Sequence, residues 1–83
     1  MAIQYIQDNV QFNAPNGTQT DYEAVINITV SIQNPDGTWA NPVTYTQTLT
    51  GYSSQDQAQL GFNVTRAAIT DQTLIAYAIA HPS

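Results

Sequence analysis

From Tyr22 to Gln33 the chain reads YEAVINITVSIQ, and its apolar residues recur at every second position. Tyr22, Ala24, Ile26, Ile28, Val30 and Ile32 share one parity, while Glu23, Asn27, Thr29, Ser31 and Gln33 hold the other, with Val25 as the exception. Successive side chains of a pleated strand point to opposite faces, so this pattern predicts a strand with one dry face. A helix would scatter the six apolar residues around its circumference. The rest of the chain must supply strands beside this one and a cover for its apolar side.

Candidate partners lie on both sides. Residues 3–12, IQYIQDNVQF, place Ile6, Val10 and Phe12 on one parity with Asp8 among them, and Ile3 and Tyr5 on the other. A charge among core-side positions predicts an edge or bulged strand. The connection carries Asn16-Gly17, a strong hairpin signal. A two-residue turn there sets Tyr5 by Ile28, whereas matching the hydrophobic faces sets Ile6 by Ile26 and Val10 by Tyr22. The favoured register is the second, which buries Ile6, Val10 and Phe12.

After the central strand, Asn34-Pro35-Asp36-Gly37 predicts a tight turn leading into a third strand over 38–50, TWANPVTYTQTLT. Trp39, Val43, Tyr45 and Leu49 fall on one parity, and Thr44, Thr46, Thr48 and Thr50 on the other. A two-residue loop would set Ile28 by Val43. A three-residue loop with a glycine bulge shifts that parity by one, and a second irregularity at Asn41-Pro42 restores it. A kink is therefore expected near residues 40–42.

Beyond Gly51 the period changes. Ser53 and Ser54 are suitable N-caps, and Leu60, Val64, Ala67 and Ala68 follow at helical spacing. Gly61 within this segment costs about 1 kcal/mol relative to alanine. Thr70-Asp71 begins a second segment, TLIAYAIAH, which ends at Pro82; it suits a short helix better than a buried strand, although apolar residues occupy both parities. The expectation is one α+β domain over 1–83: a three-stranded antiparallel sheet (3–12, 22–33, 38–50) covered by helical segments at 54–69 and 71–81.

A chain of 83 residues has a small core, and such chains commonly add disulfides, metals or partner subunits. There is no cysteine and one histidine, His81, which excludes disulfides, thiolate metal sites and a histidine-rich zinc site. Self-association is the reinforcement left. Six carboxylates stand against one cation, Arg66, and Thr, Gln, Asn and Ser fill 32 of the 83 positions. One arginine cannot track a phosphate backbone, so direct nucleic-acid binding is not expected. The longest apolar run, 74–80, falls short of the ~20 residues of a membrane span. With no signal peptide visible, a soluble cytoplasmic or virion-associated protein is expected.

No catalytic signature, phosphate loop or metal-ligand spacing is present, so no catalytic residue, metal or cofactor is expected. His81 lies near the end of the chain, and Asp21 and Glu23 share the polar face of their strand. Arg66 lies off the Leu60–Val64 stripe and is expected to pair with Asp56, Asp71 or a partner's anionic group. Tyr5, Tyr52 and Tyr77 are hard to fit into so small a core, and with Trp39 and Arg66 they are the candidate interface residues. Three functional readings fit these features. The first is a non-enzymatic binding or structural module acting as a homo-oligomer through a Tyr/Thr-rich surface. The second is a small inhibitor of the kind phages and other mobile elements carry, which occupies a host protein or sequesters a small ligand. The third is a carbohydrate-binding module, suggested by Trp39, the tyrosines and the many amides.

Overall fold

A computed structural model describes residues 2–81. Three antiparallel strands, β1 (Ile3–Asn13), β2 (Tyr22–Ile32) and β3 (Val43–Tyr52), form one sheet in the order β1-β2-β3, followed by helices α1 (Gln55–Ala68) and α2 (Asp71–Ala80). The α+β architecture agrees with the sequence-based expectation, and both helices lie within a residue of their expected bounds. Pro82, the expected stop, lies outside the described residues. Among those described, no helix is long and apolar enough to cross a membrane.

The alternation in β2 does what its period requires. Ala24, Ile26, Ile28 and Val30 are buried, and with Ile69, Leu74, Ile75, Ala58 and Ala78 of the helical third they form the core. β1 and β3 add only partly buried residues to this ridge, among them Ile3, Tyr45 and Leu49. The result is a thin molecule, 48 × 23 × 18 Å, with a radius of gyration of 15.0 Å. A compact domain of this length has a radius near ~12 Å.

The first hairpin keeps the expected parity but not the expected pairing. Val10 stands opposite Ile26 and Phe12 opposite Ala24, four residues along from the favoured register. The tight turn is centred on Gly17-Thr18, closed by paired hydrogen bonds between Asn16 and Gln19 (3.1 and 3.0 Å), and a longer loop separates it from the strands. Ile6 is not buried: the register shifts between Tyr5 and Gln7, so Ile6 is the extra residue of a bulge and is 55% exposed. The bulge moves Tyr5 and Ile3 onto the same face as Asp8, Val10 and Phe12, opposite Val30 and Ile32.

The second hairpin follows its turn chemistry. Gly37 N–H donates to Asn34 O (3.0 Å), and the Asp36 carboxylate accepts from the Thr38 N–H and hydroxyl (3.0 and 2.6 Å). These bonds to Thr38, the hydroxyl first, hold the Asp36 pKa below its ordinary value. Trp39 is bridged to Gln33, and the ladder resumes only at Val43, opposite Val30. The irregular stretch at 40–42 thus appears where proline breaks the ladder. It sets Tyr45, not Val43, opposite Ile28. Trp39 is thereby placed on the polar face, 47% exposed, rather than with the core residues of its parity.

Capping sets the helix starts. Ser54 accepts from Gln57 N–H (3.2 Å), and Thr70 and Thr73 form a reciprocal capping box. The face of α1 that meets the sheet differs from the expected one. Ala58 is buried and Gly61, Phe62 and Thr65 are half-buried, whereas Leu60 and Val64 are 58% and 73% exposed, with Ala67 and Ala68 exposed beside them. The expected apolar stripe points to water.

Candidate association surface

The small residues of α1 face inward because tyrosine needs the room. Between Ala24/Leu49 and Tyr22/Tyr52 the β3 strand carries an extra residue, and Gly51 takes φ 88°, a conformation unfavourable for side chains with a Cβ. The bulge turns Tyr52 onto the helix side, where its ring lies against Gly61; a Cβ at that position would overlap the ring. Gly61 weakens the helix as a helix and makes the seat for the last residue of β3.

The helices form a V over the sheet. Its apex, the α1–α2 junction, lies toward β1 and reaches that strand through side chains. There Arg66 forks onto Asp8, with Nε to Oδ1 at 3.1 Å and Nη2 to Oδ2 at 2.7 Å, and its Nη1 donates to the Ile69 carbonyl at 2.9 Å. Beside this pair the Tyr5 hydroxyl donates to Asp71. Arg66 therefore pairs with Asp8, fifty-eight residues away in sequence, rather than with Asp56 or Asp71. The Asp8 carboxylate raises the Arg66 pKa further. Partial burial, together with the bond to Asp71, raises that of Tyr5.

Both arms of the V return to β3. The α1 arm starts where Tyr52 meets Gly61, and the α2 arm brings Tyr77 edge-on to Tyr45, with ring centres 5.1 Å apart. Tyr77 also stacks on His81 at 4.2 Å. Farther along α2, Ala78 and Ile79 line a cavity of about 210 Å³ with Val30, Ile32 and Val43. Ligand pockets usually measure ~300–1,000 Å³, so this one is small for sequestering a ligand.

The five candidate residues do not form one patch. Tyr5 and Arg66 meet at the apex, Tyr52 is half-buried under α1, Tyr77 is half-buried on α2, and Trp39 stands apart at the β2–β3 hairpin. Trp39 is the one aromatic residue that strand pairing places on the open face, so a sugar would find a single ring there. Along its length that face is polar and internally bonded: the Thr29 and Thr44 hydroxyls are 2.9 Å apart, Thr46 donates to Asn27 at 3.0 Å, and Asn13 to Glu23 at 2.7 Å. Among the described residues no group of three or more metal-ligating side chains is brought together.

Sequence reasoning expected the bulged edge strand at β1 and missed how different the other outer strand is. β1 is bulged at Ile6, turns Asp8 inward and continues through Asn9, Gln11 and Asn13. Among the described residues β3 pairs with β2 alone, and from Val43 to Leu49 it runs VTYTQTL without a charge, proline or bulge. Bulges and inward charges are how proteins guard a sheet edge; Val, Thr and Tyr are the residues that pair best across one. The signal was present in the sequence as the contrast between Asp8 in one strand and the uncharged third strand. The chain matches no protein-family model, no curated protein and no solved structure.

Proposed function

We propose that this protein is a non-enzymatic structural or binding module that works as a homo-oligomer, its copies joined through the Thr/Tyr-rich edge of β3. The observation that carries the reading is the uncharged, uninterrupted edge over Val43–Leu49. Such an edge presents unpaired N–H and C=O groups as a template for another strand.

Symmetry makes a second copy a fitting occupant. A two-fold axis normal to the sheet keeps each side chain on its own face, and antiparallel partners also share a face, so only registers with an even residue sum satisfy both. An axis through Gln47 sets Thr46 of one copy opposite Thr48 of the other, and Tyr45 opposite Leu49. Threonine pairs and aromatic–aliphatic pairs of this kind contribute roughly 0.2–1 kcal/mol each. The product is a continuous six-stranded sheet with all helices on one side. The alternative occupant is a strand from a host protein, which is the inhibitor reading.

Light scattering across a concentration series tests this. The wild-type chain is expected to be dimeric at micromolar concentration. Thr46→Glu with Thr48→Glu sets carboxylates opposite one another and is expected to weaken the dimer at least ~100-fold, because like charges directly across a ladder repel. Both positions are exposed, so the fold should survive. A wild-type chain that stays monomeric throughout would overturn the homo-oligomer and leave the edge to a foreign strand.

A further inference from the structure

The edge by itself is short for a lasting interface. Seven residues at ~3.4 Å each give a strip of ~24 Å, and at ~10 Å wide it covers ~500 Å² counted over both copies. A stable interface clears ~1,000 Å². A second element is needed on the same side of the molecule.

The outward stripe of α1 meets that requirement. Phe62 packs edge-on against Phe12, with ring centres 6.1 Å apart, and Arg66 reaches Asp8, so both define the flank of α1 that faces β1. At about 100° per residue, Leu60, Val64 and Ala68 lie on the opposite flank, toward β3. Gly61, which carries the ring of Tyr52 from β3, lies on that side too. Val64 and Ala68 therefore lean toward the open edge with Leu60 beside them farther from the sheet, and Leu60 and Val64 are among the most exposed large apolar residues of the molecule. Gln57, Val64 and Ala68 compose this flank, with Leu60 and Ala67 at its outer margin, where Asp56 is their one charged neighbour.

The spacing agrees. The helix packs over β2 and β3 together. An axis above the gap between these strands, which are ~4.8 Å apart, stands ~5 Å from a dyad placed just outside β3. The helix layers of two copies then lie ~10 Å apart, the upper end of the 8–10 Å at which helices pack. The flank from Gln57 to Ala68, ~17 Å long, adds an area of the same order as that of the edge.

We infer that the Leu60–Val64–Ala68 flank of α1 is the second half of the self-association surface, and that a second copy of this chain covers it. The inference rests on the pairing of β3 edges proposed above. In the dimer the helix layer of the second copy closes the mouth of the V, and Leu60 and Val64 leave water only when the two sheets join. An apolar stripe on the outer side of a helix, costly in a monomer, is then an inner surface of the assembly.

The test is the dimer dissociation constant of Leu60→Gln with Val64→Gln, measured by light scattering or native mass spectrometry beside the wild type and the Thr46→Glu/Thr48→Glu variant. Both positions are largely exposed in the single copy, so the circular dichroism spectrum of the diluted variant should match the wild type. Val64→Thr, close in shape, provides a milder second variant. The expected result is a dimer weakened by roughly two orders of magnitude for the double variant, with a smaller loss for Val64→Thr. Unchanged affinity in both, with the edge variant still disruptive, would overturn the role of α1 while leaving the edge pairing intact. A monomeric wild type would overturn both.

Discussion

The two outer strands of this sheet are nearly equal in length, and they differ in how they meet water and how they meet the helices. β1 is interrupted at Ile6, turns a carboxylate inward at Asp8 and is tied to the helical layer by polar bonds, Asp8 to Arg66 and Tyr5 to Asp71. β3 is regular from Val43 to Leu49 and is tied by packing, Tyr52 on Gly61 and Tyr45 on Tyr77. Charge closes one side of the sheet and shape holds the other open. A strand that needs a charge to face inward discourages a neighbour, because that neighbour would have to leave the carboxylate its cation.

The sharpest break of this contrast exchanges the edges' chemistry. Carboxylates at Thr46 and Thr48 should abolish association at micromolar concentration, while the same pair placed on β1 by Asn9→Glu with Gln11→Glu should leave the light-scattering mass unchanged. Next in size is the packing that holds β3. Gly61→Ala improves helix propensity by about 1 kcal/mol yet drives a methyl group into the Tyr52 ring, so it is expected to lower stability by roughly 1–2 kcal/mol in urea denaturation. In a Tyr52→Ala background the same change should raise stability instead. A gain in the wild-type background would show that Tyr52 does not need that seat.

The polar tie of β1 is weaker. Arg66→Met removes a half-exposed bidentate pair and is expected to cost about 1 kcal/mol, less at high salt. The smallest effect is the response to alkali. The folded-state pKa of Tyr5 is raised, so the protonated phenol is favoured by folding. Its contribution is complete below the ordinary tyrosine pKa of about 10 and is lost as the pH climbs through the raised value. Tyr5→Phe should remove that part of the alkaline slope in a pH series of thermal melts.

Much of the fold was legible because it is locally determined. The β2 parity, the Asn34–Gly37 turn, and the caps at Ser54 and Thr70 depend on residues a few positions apart, and each holds in the structure. The first register was not legible, because the turn centred on Gly17-Thr18 with its longer loop and the bulge at Ile6 both move it, and the alternation of residues 3–12 fixes the position of neither. Spacing alone also misassigned α1. Leu60, Val64, Ala67 and Ala68 form a conventional core stripe, and only the Gly51 bulge, which brings Tyr52 over Gly61, gives the small-residue face the advantage. The candidate interface residues followed the same rule. Tyrosines too many for a small core read as surface groups; Tyr5 is exposed, while Tyr52 and Tyr77 are half-buried between sheet and helix.

The fork of Arg66 on Asp8 has a kinetic consequence. With the only cationic side chain among Lys and Arg closed inside an ion pair, the remaining charged side chains are all carboxylates, and the chain carries a formal net charge of −5. In the proposed dimer two copies would approach through mutual repulsion and meet on surfaces nearly free of charge. Encounter becomes faster, rather than slower, as dissolved ions shorten the reach of that field to ~8 Å near physiological ionic strength.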